Sequence, residues 1–156
     1  MAIHIVLVEP EIPPNTGNVA RSCAATESVL HLVKPLGFSI DDKHMKRAGL
    51  DYWSLIKLHV HDSLDEFLEK YKDATMYLAE TGGEKSYVSV NFKDDDMILF
   101  GKETAGLPKS LIESNKESVI RIPMTTDIKF RSLNLSNAVN IVLFEALRQL
   151  DFPNLK

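Results

Sequence analysis

Ile3-His4-Ile5-Val6-Leu7-Val8 runs without a break into Glu9-Pro10-Glu11-Ile12-Pro13-Pro14-Asn15-Thr16-Gly17-Asn18. The first six residues form a β-branched and aliphatic run of strand length, too apolar for a strand with one face in water. The Pro- and Asn-rich stretch behind it ends the strand. Asn15 or Thr16 is placed to cap a helix over roughly residues 18–28, in which Val19, Ala20, Cys23 and Ala24 share a face.

The same alternation continues outward from this unit. Residues 30–33 read as a second strand, closed by Lys34-Pro35-Leu36-Gly37. A short helix is expected around residues 43–48 and an extended segment over 55–60. Asp62 or Ser63 starts a helix whose apolar face is Leu64, Phe67, Leu68 and Tyr71. Residues 75–79 and 97–100 read as buried strands, 108–114 as a short helix opened by proline, and 119–122 as a further strand. The chain closes with its longest helix, roughly 135–150. Its residues Leu135, Ala138, Val139, Val142, Leu143, Ala146, Leu147 and Leu150 follow the i, i+3, i+4, i+7 pattern. Ile141 and Phe144 lie outside that stripe and give the helix a second apolar face, which calls for full burial or a second subunit. Strands this apolar, alternating with helices, indicate an α/β fold with a mostly parallel sheet flanked by helices.

The 156 residues suit one compact domain, 1–156. With 44% hydrophobic and 26% charged residues, the composition excludes a disordered or fibrous chain. No apolar run reaches the roughly 18 residues of a membrane span, and the N-terminus lacks the basic region and cleavage site of a signal peptide. The single cysteine, Cys23, cannot form an internal disulfide, which fits a cytoplasmic location. A net charge of −4 argues against generic nucleic-acid binding. The charge is uneven, however: residues 62–103 balance at −6 and residues 104–156 at +2. A local basic face drawn from Arg21, Lys43, Lys46, Arg47, Lys129 and Arg131 is compatible with that distribution.

In open α/β sheets ligands bind at the carboxyl ends of strands. Three strand exits here carry unusual loops: Glu9 to Asn18 leading to Arg21, Leu99 to Pro108, and Ile122-Pro123-Met124 followed by Ser132 to Asn137. None carries a G-x-G-x-x-G or P-loop signature, since Gly101 and Gly106 stand alone. His59 and His61 alternate and so share a strand face. Without a neighbouring Cys or His motif they read as surface histidines, and no metal site is expected. Glu9 with Glu11, and Glu80 with Glu84, are weak carboxylate pairs. Asp94-Asp95-Asp96 reads as a solvated turn and Cys23 as core. No nucleophile-elbow sequence is present, so the chemistry does not look hydrolytic.

Taken in order, the three loops resemble the motifs of the SPOUT (trefoil-knot) RNA 2′-O-methyltransferases. Asn15-x-Gly17-Asn18-x-x-Arg21 resembles the first motif. Phe100-Gly101-x-Glu103-x-x-Gly106-Leu107-Pro108 resembles the second. Ile122-Pro123-Met124 with Ser132-Leu133-Asn134-Leu135-Ser136-Asn137-Ala138 resembles the third. The resemblance spans essentially the whole chain. EPEIPPNTGN, RAGLDYW and SLNLSNAV are most similar to the branch that methylates the tRNA wobble nucleotide. Seven residues, Thr125 to Arg131, separate Met124 from Ser132, slightly more than in that branch. Lys129-Phe130-Arg131 is then an expected RNA-facing bulge.

The resemblance implies a C-terminal deep trefoil knot and a homodimer with its site at the subunit interface. It implies S-adenosyl-L-methionine as cofactor, S-adenosyl-L-homocysteine as product and no metal. Ala79, Gly101, Ile122, Ser132 and Leu133 are the implied cofactor contacts. Methyl transfer to the ribose 2′-OH of the wobble cytidine or uridine is the implied reaction. The partner is the tRNA anticodon stem-loop, with leucine tRNAs expected, and no membrane is involved. Arg21 is the leading catalytic residue. A guanidinium holds its proton too firmly to serve readily as a base, which makes Arg21 better suited as a phosphate clamp and hydroxyl polariser. Asn18, one turn earlier, supports it, while Glu103 orients the site and Asn134 positions substrate or cofactor. Lys43, Lys46, Arg47 and Arg131 are expected RNA contacts on charge alone. The alternatives are a 2′-O-methyltransferase of another tRNA or ribosomal RNA nucleotide, and a non-catalytic RNA-binding protein of the same fold.

Overall fold

The computed structural model describes residues 2–41, 43, 53–127, 129 and 132–156. Seven strands among these form one all-parallel sheet. They are β1 (His4–Val8), β2 (Val29–Val33), β3 (Lys57–His61), β4 (Met76–Ala79), β5 (Lys85–Ser86), β6 (Met97–Phe100) and β7 (Val119–Arg121), in the order β3-β2-β1-β6-β4-β7-β5. The chain builds outward from β1 in one direction through β2 and β3, and later strands fill the other side. The reversal of order lies between β1 and β6, paired from His4↔Met97 to Leu7↔Phe100. Their carboxyl ends diverge into loops at that switch point, the usual place for a ligand in such a sheet.

Both faces of the sheet are covered, which explains why the strands are continuously apolar rather than alternating. Helices α1 (Pro13–Thr26) and α4 (Leu135–Gln149) pack on one face. There Ile5, Leu7, Leu30, Leu32, Ile98 and Ile120 meet Val19, Cys23, Val139 and Leu143. On the other face Val6, Val8, Leu78, Leu99 and Val119 lie under Phe67 of α2 (Leu64–Lys70) and Leu111 of α3 (Lys109–Ser114). Burial pushes the Cys23 thiol up to about 12, so it is a core residue as expected. Among the described residues no helix is long and apolar enough to cross a membrane.

Several boundaries differ from the sequence reading for identifiable reasons. Helix α1 starts five residues before the expected position 18, at Pro13, with Ile12 as N-cap and no side-chain cap. Two prolines in the first turn have preset φ and lack only N–H groups that a helix start leaves unpaired. Asn15 and Thr16 therefore lie inside the helix and are buried rather than capping it. The extended segment expected over 55–60 is β3, shifted to Lys57–His61 and preceded by a 3₁₀ turn, Trp53–Leu55. Ser63 does cap α2, its hydroxyl accepting from Glu66 N at 3.1 Å. The two-residue β5 had no signal of strand length. Of the acidic run, Asp94 and Asp95 are exposed but Asp96 is 4% exposed and accepts from Lys93 N at 2.8 Å; burial raises its carboxyl pKa.

His61 is buried, not on the surface. It shares a sheet face with the fully buried His31, and the two ring nitrogens are 3.0 Å apart. His59 is exposed, as expected. The helix expected at 43–48 lies outside the described residues except for Lys43, which is exposed.

Candidate active site

Three loops at the strand exits are tied together by side chains rather than by backbone pairing. Glu103, in the loop after β6, accepts from Glu11 N at 3.0 Å, Ile12 N at 2.6 Å and Asn15 Nδ2 at 3.3 Å. The tie is reciprocal, because Glu11 Oε1 accepts from Thr104 N at 3.1 Å and Thr104 Oγ1 at 2.6 Å. Those bonds, the hydroxyl's first, hold the Glu11 carboxyl below its ordinary pKa. Asn15 carries the connection onward: its Oδ1 accepts from Asn134 Nδ2 at 3.0 Å. Asn134 is the N-cap of α4, and its Oδ1 accepts from Ser136 N at 2.9 Å and Ser136 Oγ at 2.6 Å. One chain of hydrogen bonds thus fixes the starts of both helices on this face to the β6 loop. Glu103 also places negative charge at the amino end of α1, where the helix dipole favours it.

The β6 loop folds back on itself, with Gly106 N donating to Lys102 O at 2.9 Å. A Cβ on Gly101 would overlap the backbone of Gly106 and Leu107. Gly106 has φ +70, and a Cβ there would strike the Glu80 carboxylate. Glu80 Oε1 accepts from Leu107 N at 2.5 Å, locking the loop to the end of β4. The two glycines let the loop close tightly at the edge of the space in front of it.

That space is a cleft of about 600 Å³. Ala79, Gly101, Ile122, Ser132 and Leu133 line it, as do Glu103 and Asn134. Ile120, Ala138 and Val142 supply further apolar wall, and Glu80, Lys102 and Arg121 are its charged side chains besides Glu103. An apolar wall with a few polar and charged groups suits a nucleoside-sized ligand, and the volume is in the range of small-molecule sites. Gly101 lets the loop close on Gly106 and Leu107, which sets the shape of this wall of the cleft.

Arg21 and Asn18 do not line this cleft. Both are exposed on α1, and Asn18 O accepts from Ser22 Oγ at 3.2 Å. Of the expected RNA contacts Lys43 is exposed, while Lys46, Arg47 and Arg131 lie outside the described residues. Among the described residues no group of three or more His, Cys, Asp or Glu side chains is arranged to hold a metal ion.

Two residues have roles at the site that differ from their sequence reading. Asn15 lay in a recognised motif, but was read as a helix cap. Its signal was the pair of prolines before it, which starts the helix earlier and turns its side chain inward. Glu80 stands in the sequence only as half of a weak carboxylate pair with Glu84. Only the return of the β6 loop gives it a partner.

The family model described as SpoU rRNA Methylase family matches residues 2–144. The Escherichia coli (strain K12) tRNA (cytidine(34)-2′-O)-methyltransferase is 46% identical over 152 residues, covering 97% of this chain and 96% of that protein. A Bacillus subtilis (strain 168) protein, provisionally named for the same reaction, is 50% identical over 159 residues, 100% of this chain and 98% of its own. A solved structure described as "Structural insights into the 2-OH methylation of C/U34 on tRNA" superposes with a TM-score of 0.88 at 43% identity, covering 96% of this chain and 97% of that one.

Proposed function

Because the chain belongs to the SpoU rRNA methylase family, we propose that it methylates the ribose 2′-OH of the wobble cytidine or uridine of tRNA, using S-adenosylmethionine. One observation carries this reading: the Glu103–Asn15–Asn134 connection gathers the three motif segments around a single cleft. Identity of 46% over nearly the full length to a relative named for cytidine(34) methylation supports the wobble position over other nucleotides. The anticodon stem-loop is then the partner, leucine tRNAs are the expected substrates, and the cytoplasm is the place of action. A trefoil knot near the C-terminus and a single catalytic domain belong to the same reading.

S-adenosylmethionine, when bound, supplies a methyl group already activated on a sulfonium. The work left to the chain is alignment and handling of the hydroxyl proton. Ala79, Gly101, Ile122, Ser132 and Leu133 hold the nucleoside part of the cofactor through backbone groups and apolar contact. Glu103 and Asn134 fix the loops that shape the slot. Arg21 clamps the phosphate beside the reacting ribose and polarises its hydroxyl, with Asn18 one turn away. Lys43, Lys46, Arg47 and Arg131 contact the RNA backbone.

Since Arg21 and Asn18 stand outside the cleft of their own chain, the site is completed by a second copy, Arg21 of one protomer meeting the cleft of the other. The apolar side chains a homodimer would cover are at hand. Ile12, Leu133, Ile141 and Phe144 are 43%, 41%, 37% and 46% exposed. Two lie on the second apolar face of α4, and two at the mouth of the cleft.

The experiment is transfer of labelled methyl from S-adenosylmethionine to bulk tRNA from a strain lacking this protein, followed by nucleotide mapping. Label on the wobble ribose of leucine tRNAs supports the full reading. Label at another nucleotide overturns the address, and no label in tRNA overturns the substrate.

A further inference from the structure

We propose that Arg121, with the hydroxyls of Thr81, Thr125 and Thr126, forms a seat for one phosphate of the substrate RNA backbone, beside the methyl-transfer cleft. The proposal deepens the functional reading above and rests on it.

Arg121 is the last residue of β7. The two strand residues before it, Val119 and Ile120, are buried, whereas Arg121 is exposed. Its guanidinium makes no hydrogen bond or ion pair with any described residue, so all its donors are free. Such a group at a strand exit is not explained by the stability of the sheet.

A hollow of about 190 Å³ opens next to it. The hollow shares Thr81, Arg121, Ile122 and Met124 with the main cleft, and Thr125 and Thr126 complete it. Its lining contains one cation, three hydroxyl groups and no carboxylate. That set favours an anion, because the Arg121 charge repels a cation and no carboxylate among the described lining residues offsets it. A planar guanidinium grips two oxygens of a phosphate at once, and hydroxyls supply further donors.

Exposure decides which anion. Arg121, Thr125 and Thr126 all face solvent, so the seat is open to a chain passing across the surface. A small ligand enclosed in the cleft would leave that outer side unused. Charge points the same way. Within the hollow itself Arg121 is the one charged side chain among the described lining residues, and it attracts a polyanion. A phosphate held here lies next to the cleft where a ribose must be presented, which makes Arg121 a positioning residue for the nucleotide.

The test compares wild type, Arg121→Gln and Arg121→Lys for methyl transfer to tRNA, tRNA affinity across a salt series, and S-adenosylmethionine affinity. An exposed residue allows all three to fold. For Arg121→Gln the slope of log affinity against log salt is expected to become shallower by about 0.7–0.9, the value of one phosphate contact. Its KM for tRNA is expected to rise about ten- to a hundredfold with kcat within about threefold, the loss of one charge-assisted contact. Arg121→Lys should keep the slope and recover part of the KM. Cofactor affinity should not change. An unchanged salt slope in Arg121→Gln, with wild type active, overturns the seat alone. A fall in cofactor affinity with an unchanged slope assigns Arg121 to the cofactor instead. No transfer to tRNA by wild type overturns the underlying reading and the seat with it.

Discussion

Asn134 Nδ2 donates to Asn15 Oδ1 at 3.0 Å, joining residues 119 positions apart. Asn15 is 6% exposed, and its own amide donates to Glu103, so it is the middle of a three-segment connection. Its two neighbours, the half-buried Glu103 and the exposed Asn134, each lose a partner if it is removed.

Asn15→Ala is therefore expected to destabilise the protein by about 1–3 kcal/mol, the worth of its two side-chain hydrogen bonds, one of them to a carboxylate. In a chain of this size that corresponds to a fall in Tm of about 3–10 °C. Methyl transfer should fall far more, on the order of a hundredfold, because the loops that shape the cleft lose their common anchor. Asn15→Asp should be worse than alanine in stability, since it sets a second carboxylate against Glu103. Thermal unfolding and a transfer assay on the two variants check this.

The β6 loop gives a sharper contrast. Gly101→Ala forces a Cβ into the Gly106–Leu107 backbone, whereas at Gly82 a Cβ meets nothing within 4 Å. Calorimetric titration with S-adenosylmethionine should show affinity lost by about a hundredfold or more in Gly101→Ala and unchanged in Gly82→Ala. Equal affinity in both would mean that the loop does not shape the cofactor slot.

The strands and the long last helix were legible because their burial is on both faces or along one clean stripe, and the sequence records burial directly. Starts and ends were less so. The entry to α1 turned on two prolines outweighing two good capping residues, and β5 is only two residues long. The histidines misled for a related reason. His31 and His61 are polar, but each satisfies the other's ring nitrogen on a face shared by β2 and β3, a pairing visible only once the register His31↔His59 is known. The cleft was legible as three motif loops, while Glu80 depended on a chain reversal that no local pattern encodes.

Arg21 offers a direct test of the shared site. Arg21→Ala and Gly101→Ala each disable a different half if the arginine serves the neighbouring subunit. Mixed and re-equilibrated in equal amounts, they form heterodimers in half of all cases, each with one intact site. The mixture should recover about a quarter of wild-type activity, although each variant alone is inactive. Recovery of nothing would place Arg21 and the cleft of its own chain in the same site. Arg21→Ala alone should bind S-adenosylmethionine nearly as wild type does, because Arg21 lies outside the cleft lining.

The buried histidines predict how stability depends on pH. His4 Nδ1 lies 2.8 Å from His31 Nε2, and His31 Nδ1 lies 3.0 Å from His61 Nε2. Each gap holds one hydrogen, so with the two outer nitrogens the chain of three rings has room for only one proton beyond its neutral state. Any further proton breaks a contact. Burial is the main cause that lowers all three pKa values, taking His31 to about 3, and Lys70 on α2 adds to it for His31 and His61. Asp95 opposes it at His4 and Asp62 at His61. Since the folded pKa values lie below the unfolded value of about 6.5, the unfolded chain takes up more protons on acidification. The stability these groups lend is complete above pH 6.5 and declines as pH falls below it. Each proton of difference contributes a slope of about 1.4 kcal/mol per pH unit. Urea unfolding between pH 7 and about 5.5, where carboxylates other than the buried Asp96 stay largely ionised, should show this decline. His61→Gln keeps an amide donor for His31 without a titrating group, and should flatten the slope by roughly one proton. The same slope in both proteins would show that the three rings are not linked to folding through protons.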